Sequence, residues 1–163
     1  MATATVLLPV GGPSKMTAQI DQGEDLRLLF DADTVEHAVW QCAIPDNDGQ
    51  WTTVSAAKLI IQFSMASGTS GKVDFEASVM AISDGDSQDL DSDSYDSVNT
   101  ANATVPGTAG DRGTLTITLS NRDGMAPGDY CRIKLERDAD DGTDDTAAGD
   151  CEVRNVLLVL TVS

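Results

Sequence analysis

Aromatic side chains are scarce in this 163-residue chain: two Trp, two Tyr and three Phe, 4% of the total. A core therefore has to be filled by Val, Leu, Ile, Ala and Met, which suits sheets packed face to face. Basic residues are few as well, 10 Lys and Arg against 27 Asp and Glu, leaving a net charge of −17. Such a chain repels phosphate backbones and anionic lipid, so neither nucleic acid nor a membrane is an expected partner. Histidine is reduced to His37, and no G-x-S-x-G turn offers it a nucleophile. Glycines fall in turns rather than before a Lys-Ser/Thr pair, so the usual nucleotide cradle is missing too. Cys42, Cys131 and Cys151 show no paired short spacing, which argues against a zinc site. They read as reduced, small buried hydrophobes, with Cys131 and Cys151 in like strand settings where they could lie close together. No apolar run approaches the roughly 20 residues of a membrane span, and the opening MATATVLLPV lacks the charged and long apolar regions of a secretory signal. On this reading the chain is not an enzyme.

What is present is a period of two. Lys72–Val79, Thr114–Leu119 and Cys131–Glu136 each alternate polar and apolar residues, which predicts strands with one buried and one wet face. Turn signals such as Asp46-Asn47-Asp48-Gly49, Ser67-Gly68-Thr69-Ser70-Gly71, Pro106-Gly107 and Asn121-Arg122-Asp123-Gly124 punctuate them. Strands are predicted over 3–8, 26–31, 34–44, 57–66, 72–83, 98–105, 112–120, 129–138 and 150–162. Long connections over 45–56, 84–97 and 139–149 let strands cross between layers. The expected fold is all-β: a two-sheet antiparallel sandwich with jelly-roll topology and about eight strands. Residues 26–163 form one domain on this reading, with residues 1–25 an arm or a first strand.

The acidic loops are the chemical candidates. Asp84–Asp96 and Asp138–Asp145 set carboxylates at close spacing, and hard oxygen ligands of this kind converge on calcium when a loop curls. The candidate ligands are Asp89, Asp91, Asp93, Asp138 and Asp140; no other cofactor is called for. Neither loop has the glycine and closing Glu of an EF-hand, and a solvated acidic loop is the alternative. A glycosidase would need aromatic sugar platforms, and Trp40, Trp51, Tyr95 and Tyr130 are few and scattered. Carbohydrate binding without cleavage stays open.

From about Trp40 onward the chain carries an ordered series of blocks. It runs through Ile44-Pro45-Asp46 with Trp51, Ala57–Phe63, Ser67–Val73 and Ala81–Asp86. It continues with Val105–Asp111, Ala126–Asp129, Leu135–Asp141 and Ala148–Val153. In this series the chain resembles single-jelly-roll virion proteins of tailed bacteriophages, of the capsid decoration (cement) or head-fibre type. The resemblance implies a structural protein on the capsid exterior, made in the host cytoplasm, that binds the major capsid protein and self-associates, commonly as a homotrimer. It carries no catalytic residues. A tail-fibre or surface receptor- or carbohydrate-binding module is the alternative. The apolar residues Val6, Leu7, Leu8 and Val10, with Trp40, form the candidate partner surface; the other reading of the N-terminal segment is a first core strand.

Overall fold

The computed structural model describes residues 1–13, 15–22, 25–87, 90–91 and 94–163. Among these residues eleven strands form: β1 (Ala2–Leu8), β2 (Lys15–Met16), β3 (Gln19–Gln22), β4 (Leu26–Phe30), β5 (Glu36–Ala43), β6 (Val54–Met65), β7 (Lys72–Ile82), β8 (Asn99–Thr104), β9 (Gly113–Thr118), β10 (Tyr130–Arg137) and β11 (Cys151–Val162). One sheet has the order β3-β4-β11-β6-β9 with β1 also on β11; the other has the order β2-β5-β10-β7-β8. Every strand pair is antiparallel. From β4 onward each connection changes sheets except β7–β8. Strands β4 to β11 are thus the expected jelly roll, with β1, β2 and β3 extending it. Of the long connections expected to cross between layers, 45–56 and 139–149 do, whereas 84–97 joins β7 to its neighbour β8 within one sheet.

Alternation places the core between the sheets. Cys131, Ile133 and Leu135 of β10 and Val73, Phe75, Ala77 and Val79 of β7 face Leu59, Ile61 and Phe63 of β6 and the apolar side of β11. Phe30 and Phe75 meet edge to face across the layers, ring centres 5.3 Å apart. Along β11 the inward set is Cys151 and Val153, then Val156, Leu158, Leu160 and Val162, a change of parity. A bulge between Val153 and Asn155 absorbs the extra residue and keeps both halves facing the core.

The N-terminal segment is a core strand. β1 pairs with the second half of β11, from Ala2↔Val162 to Leu8↔Val156, beside the stretch that β4 occupies. Leu8, Val10 and Trp40 are buried within the chain itself, and the Trp40 indole donates to the Pro9 carbonyl at 3.1 Å. The expected partner surface therefore does not form as one patch. Val6 packs against the core, and Leu7 alone of the five points outward, at 59% exposure.

The cysteine expectation is corrected as well. Cys131 lies in β10 and Cys151 in β11, on opposite sheets, whereas Cys131 stands directly across from Cys42 in β5. All three are free thiols. A contact between Cys131 and Cys42 raises the pKa of Cys131 and lowers that of Cys42, while burial raises that of Cys151.

Candidate functional site: a groove on the outer face of the five-stranded sheet

The outer face of this sheet departs from the wet face that alternation predicts. Along β7 the outward residues Asp74, Ser78, Met80 and Ile82 are buried although they point away from the core. Two loops cover them. Over Met80 and Ile82 lies the β7–β8 connection, whose Asp96 N–H donates to the Val79 carbonyl at 2.8 Å. Arg132 of β10 reaches up to it, donating to the Leu90 carbonyl at 2.7 Å. Over Asp74 lies the β10–β11 connection, whose Thr146 and Ala147 N–H groups both donate to the Lys72 carbonyl at 2.9 Å. Its close approach explains Gly71, which has φ +93° and whose missing Cβ would lie 2.7 Å from the Thr146 carbonyl oxygen.

Beside the first loop, over β5 and β10, a groove of about 490 Å³ remains open. Its floor comes from successive outward positions: His37, Val39 and Gln41 on β5, and Arg132, Lys134 and Glu136 on β10. Register sets them side by side, Glu136 against His37, Lys134 against Val39 and Arg132 against Gln41. Lys15 of β2 closes one wall, and Tyr95 of the covering loop closes the other. The Lys134 ammonium stands 6.0 Å from the Tyr95 ring centre and 3.3 Å from a Glu136 carboxylate oxygen. Burial lowers the His37 pKa against the pull of Glu136, with Lys134 and Lys15 acting in the same sense as burial, so the imidazole is neutral near pH 7. Three of the chain's ten basic residues thus converge on one groove of a molecule with net charge −17. Among the described residues, no serine, threonine or cysteine lines it beside His37.

The calcium candidates scatter. Asp89 and Asp93 lie outside the described residues; Asp91 is exposed in the β7–β8 loop and Asp140 in the β10–β11 loop. Of the described candidates only Asp138 joins a cluster, and its companions are Asp74 of β7 and Asp141, one carboxylate oxygen of each lying within 4.8 Å of the others. Asp74 escaped sequence reading because strand alternation assigned it to solvent. Burial, then the charges of Asp138, Asp144, Asp141 and Glu76, push its pKa up to about 6. The sugar-platform candidates also separate. Tyr95 lines the groove, Tyr130 stacks under the Arg132 guanidinium at 6.0 Å, and Trp40 and Trp51 pack in or against the core.

No protein-family model matches the chain, and no curated protein matches it in sequence. Solved structures do match in fold. A family 35 carbohydrate-binding module from Clostridium thermocellum has a TM-score of 0.55 at 9% identity, over 95% of this chain and 97% of that one. The carbohydrate-binding module CBM6cm-2 of Cellvibrio mixtus lichenase 5A, solved with cellotriose, has 0.50 at 12% identity over 97% of each chain. The exo-β-1,3-galactanase of Phanerochaete chrysosporium, solved with galactose, has 0.54 at 8% identity; the match covers 97% of this chain but 29% of the galactanase. At these identities the likeness defines a class by architecture, the jelly-roll β-sandwich.

Proposed function

We propose that this chain is a non-catalytic glycan-binding module, and that its ligand is a saccharide bearing carboxylate or sulfate groups held in the groove over β5 and β10. The observation that carries the reading is the gathering of Lys15, Arg132 and Lys134 beside the Tyr95 ring in an otherwise acidic molecule. A groove of this size takes a few sugar units, the ring offers an apolar platform, and Gln41 and neutral His37 supply further hydrogen-bonding groups. The sandwiches it resembles include carbohydrate-binding modules, which supports the same reading. Calorimetry against acidic and neutral oligosaccharides tests it. Acidic oligomers should bind, more weakly as salt rises, and Tyr95→Ala and Lys134→Ala should each lower affinity by about 10-fold or more, the scale of a lost aromatic or charged contact. Failure of every acidic oligomer to bind, or binding indifferent to both substitutions, overturns it.

A second reading, capsid decoration, is supported by the series of sequence blocks and by β1, which exposes Leu7 and, among the described residues, pairs on one side only, with β11. An unpaired strand edge accepts a strand from a neighbouring subunit. On this reading the purified protein is trimeric by light scattering and rebinds capsids stripped of it; a monomer that ignores such capsids removes the idea.

A further inference from the structure

We propose that Asp74, Asp138 and Asp141 form a structural site for a hard divalent cation, calcium, which fastens the β10–β11 loop to the start of β7. The inference is independent of what occupies the groove. Calcium–oxygen bonds run about 2.4 Å, so ligands on opposite sides of one ion stand roughly 4.8 Å apart. The three carboxylates offer oxygens that all lie within 4.8 Å of one another, a spacing that one coordination shell accommodates.

The second observation is Asp74 itself. It is 1% exposed, and its Oδ1 is buried with no hydrogen-bond partner. Buried carboxylate oxygens are almost always satisfied, because leaving one bare forfeits its hydration for nothing. The bases at this end of the sheet are engaged elsewhere: Arg137 holds Asp145 at 2.8 Å, and Lys72 holds Asp144 at 3.1 Å. No lysine or arginine among the described residues pairs with Asp74, Asp138 or Asp141. Above the pH at which Asp74 gives up its proton, a cation neutralises three converging carboxylates that no basic side chain among the described residues meets.

The backbone holds the other two ligands in place. The Asp138 N–H donates to the Asp74 carbonyl at 3.1 Å, and the Asp141 N–H to the Asp138 carbonyl at 3.1 Å. Asp141 Oδ1 accepts from the Thr143 and Asp144 N–H groups at 2.8 and 3.1 Å, which orients its carboxylate. The ligand set is all oxygen, without histidine or thiolate, and this selects calcium over zinc. Three carboxylates leave positions for water and carbonyl oxygens in a shell of six to eight.

The test uses the full chain stripped with a chelator, then titrated with calcium chloride, with magnesium chloride and sodium chloride as controls. Calorimetry should find one calcium per chain, and at calcium about 100-fold above Kd the Tm should rise by roughly 5–10 °C beyond the sodium control. Asp74→Asn and Asp141→Asn should abolish that rise, while Asp91→Asn in the β7–β8 loop should keep it. In chelator, Asp74→Asn should melt no lower than the parent, because it removes a buried charge that lacks a partner; a variant damaged merely in folding would melt lower in both conditions. Asp141→Asn, at a half-buried turn, provides the same reading should Asp74→Asn misfold. Absence of a calcium-dependent shift at about 10 mM, beyond the weakest protein calcium sites, overturns the proposal. So does a shift that survives in both Asp74→Asn and Asp141→Asn.

Discussion

Arg137 is fully buried at the end of β10, and all five of its N–H donors are used. Nε and Nη2 grip the Asp145 carboxylate side-on, at 2.8 Å each. Nη2 also donates to the Ala147 carbonyl, and Nη1 to the carbonyls of Gly149 and Phe30. Phe30 belongs to the opposite sheet, so one side chain ties both layers to the β10–β11 loop. Asp145 Oδ2 accepts from the Asp74 N–H as well, at 3.0 Å. A desolvated pair of this kind is costly to break from one side, since the remaining charge stays buried. Arg137→Met and Asp145→Asn should each lower unfolding free energy by about 3–5 kcal/mol in urea titrations. Losses below about 1 kcal/mol would mean that the pair is hydrated in solution. The sequence carried a partial sign of this residue: Arg137 continues the inward phase of Cys131, Ile133 and Leu135. Its partner, eight residues on in an acidic run, had no such mark.

At the scale of elements, the N-terminal strand separates two readings that the apolar run Val6-Leu7-Leu8-Pro9-Val10 left open. Leu8 is buried against the core and Leu7 points outward, because β1 is in antiparallel register with β11. Leu8→Ala should cost about 2–5 kcal/mol, while Leu7→Ala stays within about 0.5 kcal/mol, both read by chemical denaturation. Equal and small effects would mean that the segment is a detached arm. The alternating β7, β9 and β10 were legible as strands, but gap length did not mark the crossings, since the long 84–97 connection stays in one sheet while the short β4–β5 and β6–β7 connections change sheets. The covering of the outer face of β7 was not. Alternation predicts which residues share a face, but a loop folding back over that face leaves no period in the sequence.

For the whole molecule, the dominant quantity is the net charge of −17. Self-repulsion on that scale opposes the compact state and is screened over roughly 10 Å at 0.1 M salt. Tm should therefore rise steadily from about 10 mM to 0.5 M sodium chloride, in the wild type and in Asp74→Asn alike. A flat or falling Tm would mean that the acidic surface is already neutralised by bound ions. The contrast between this general response and a calcium response confined to Asp74 and Asp141 separates surface screening from a specific site.

Composition and periodicity determined the all-β class, the layered core of aliphatic residues and most strand positions, because side-chain alternation is a local consequence of extended backbone. Turn residues determined where strands end, but not which connections cross between sheets. Tertiary structure alone decided that Cys131 faces Cys42 rather than Cys151, that Asp74 meets Asp138 and Asp141, and that three basic residues from β2 and β10 share a groove with Tyr95. These neighbours are set by strand register and loop packing between residues up to scores of positions apart. No local pattern encodes that pairing, since it is settled only when the two sheets close on a common core.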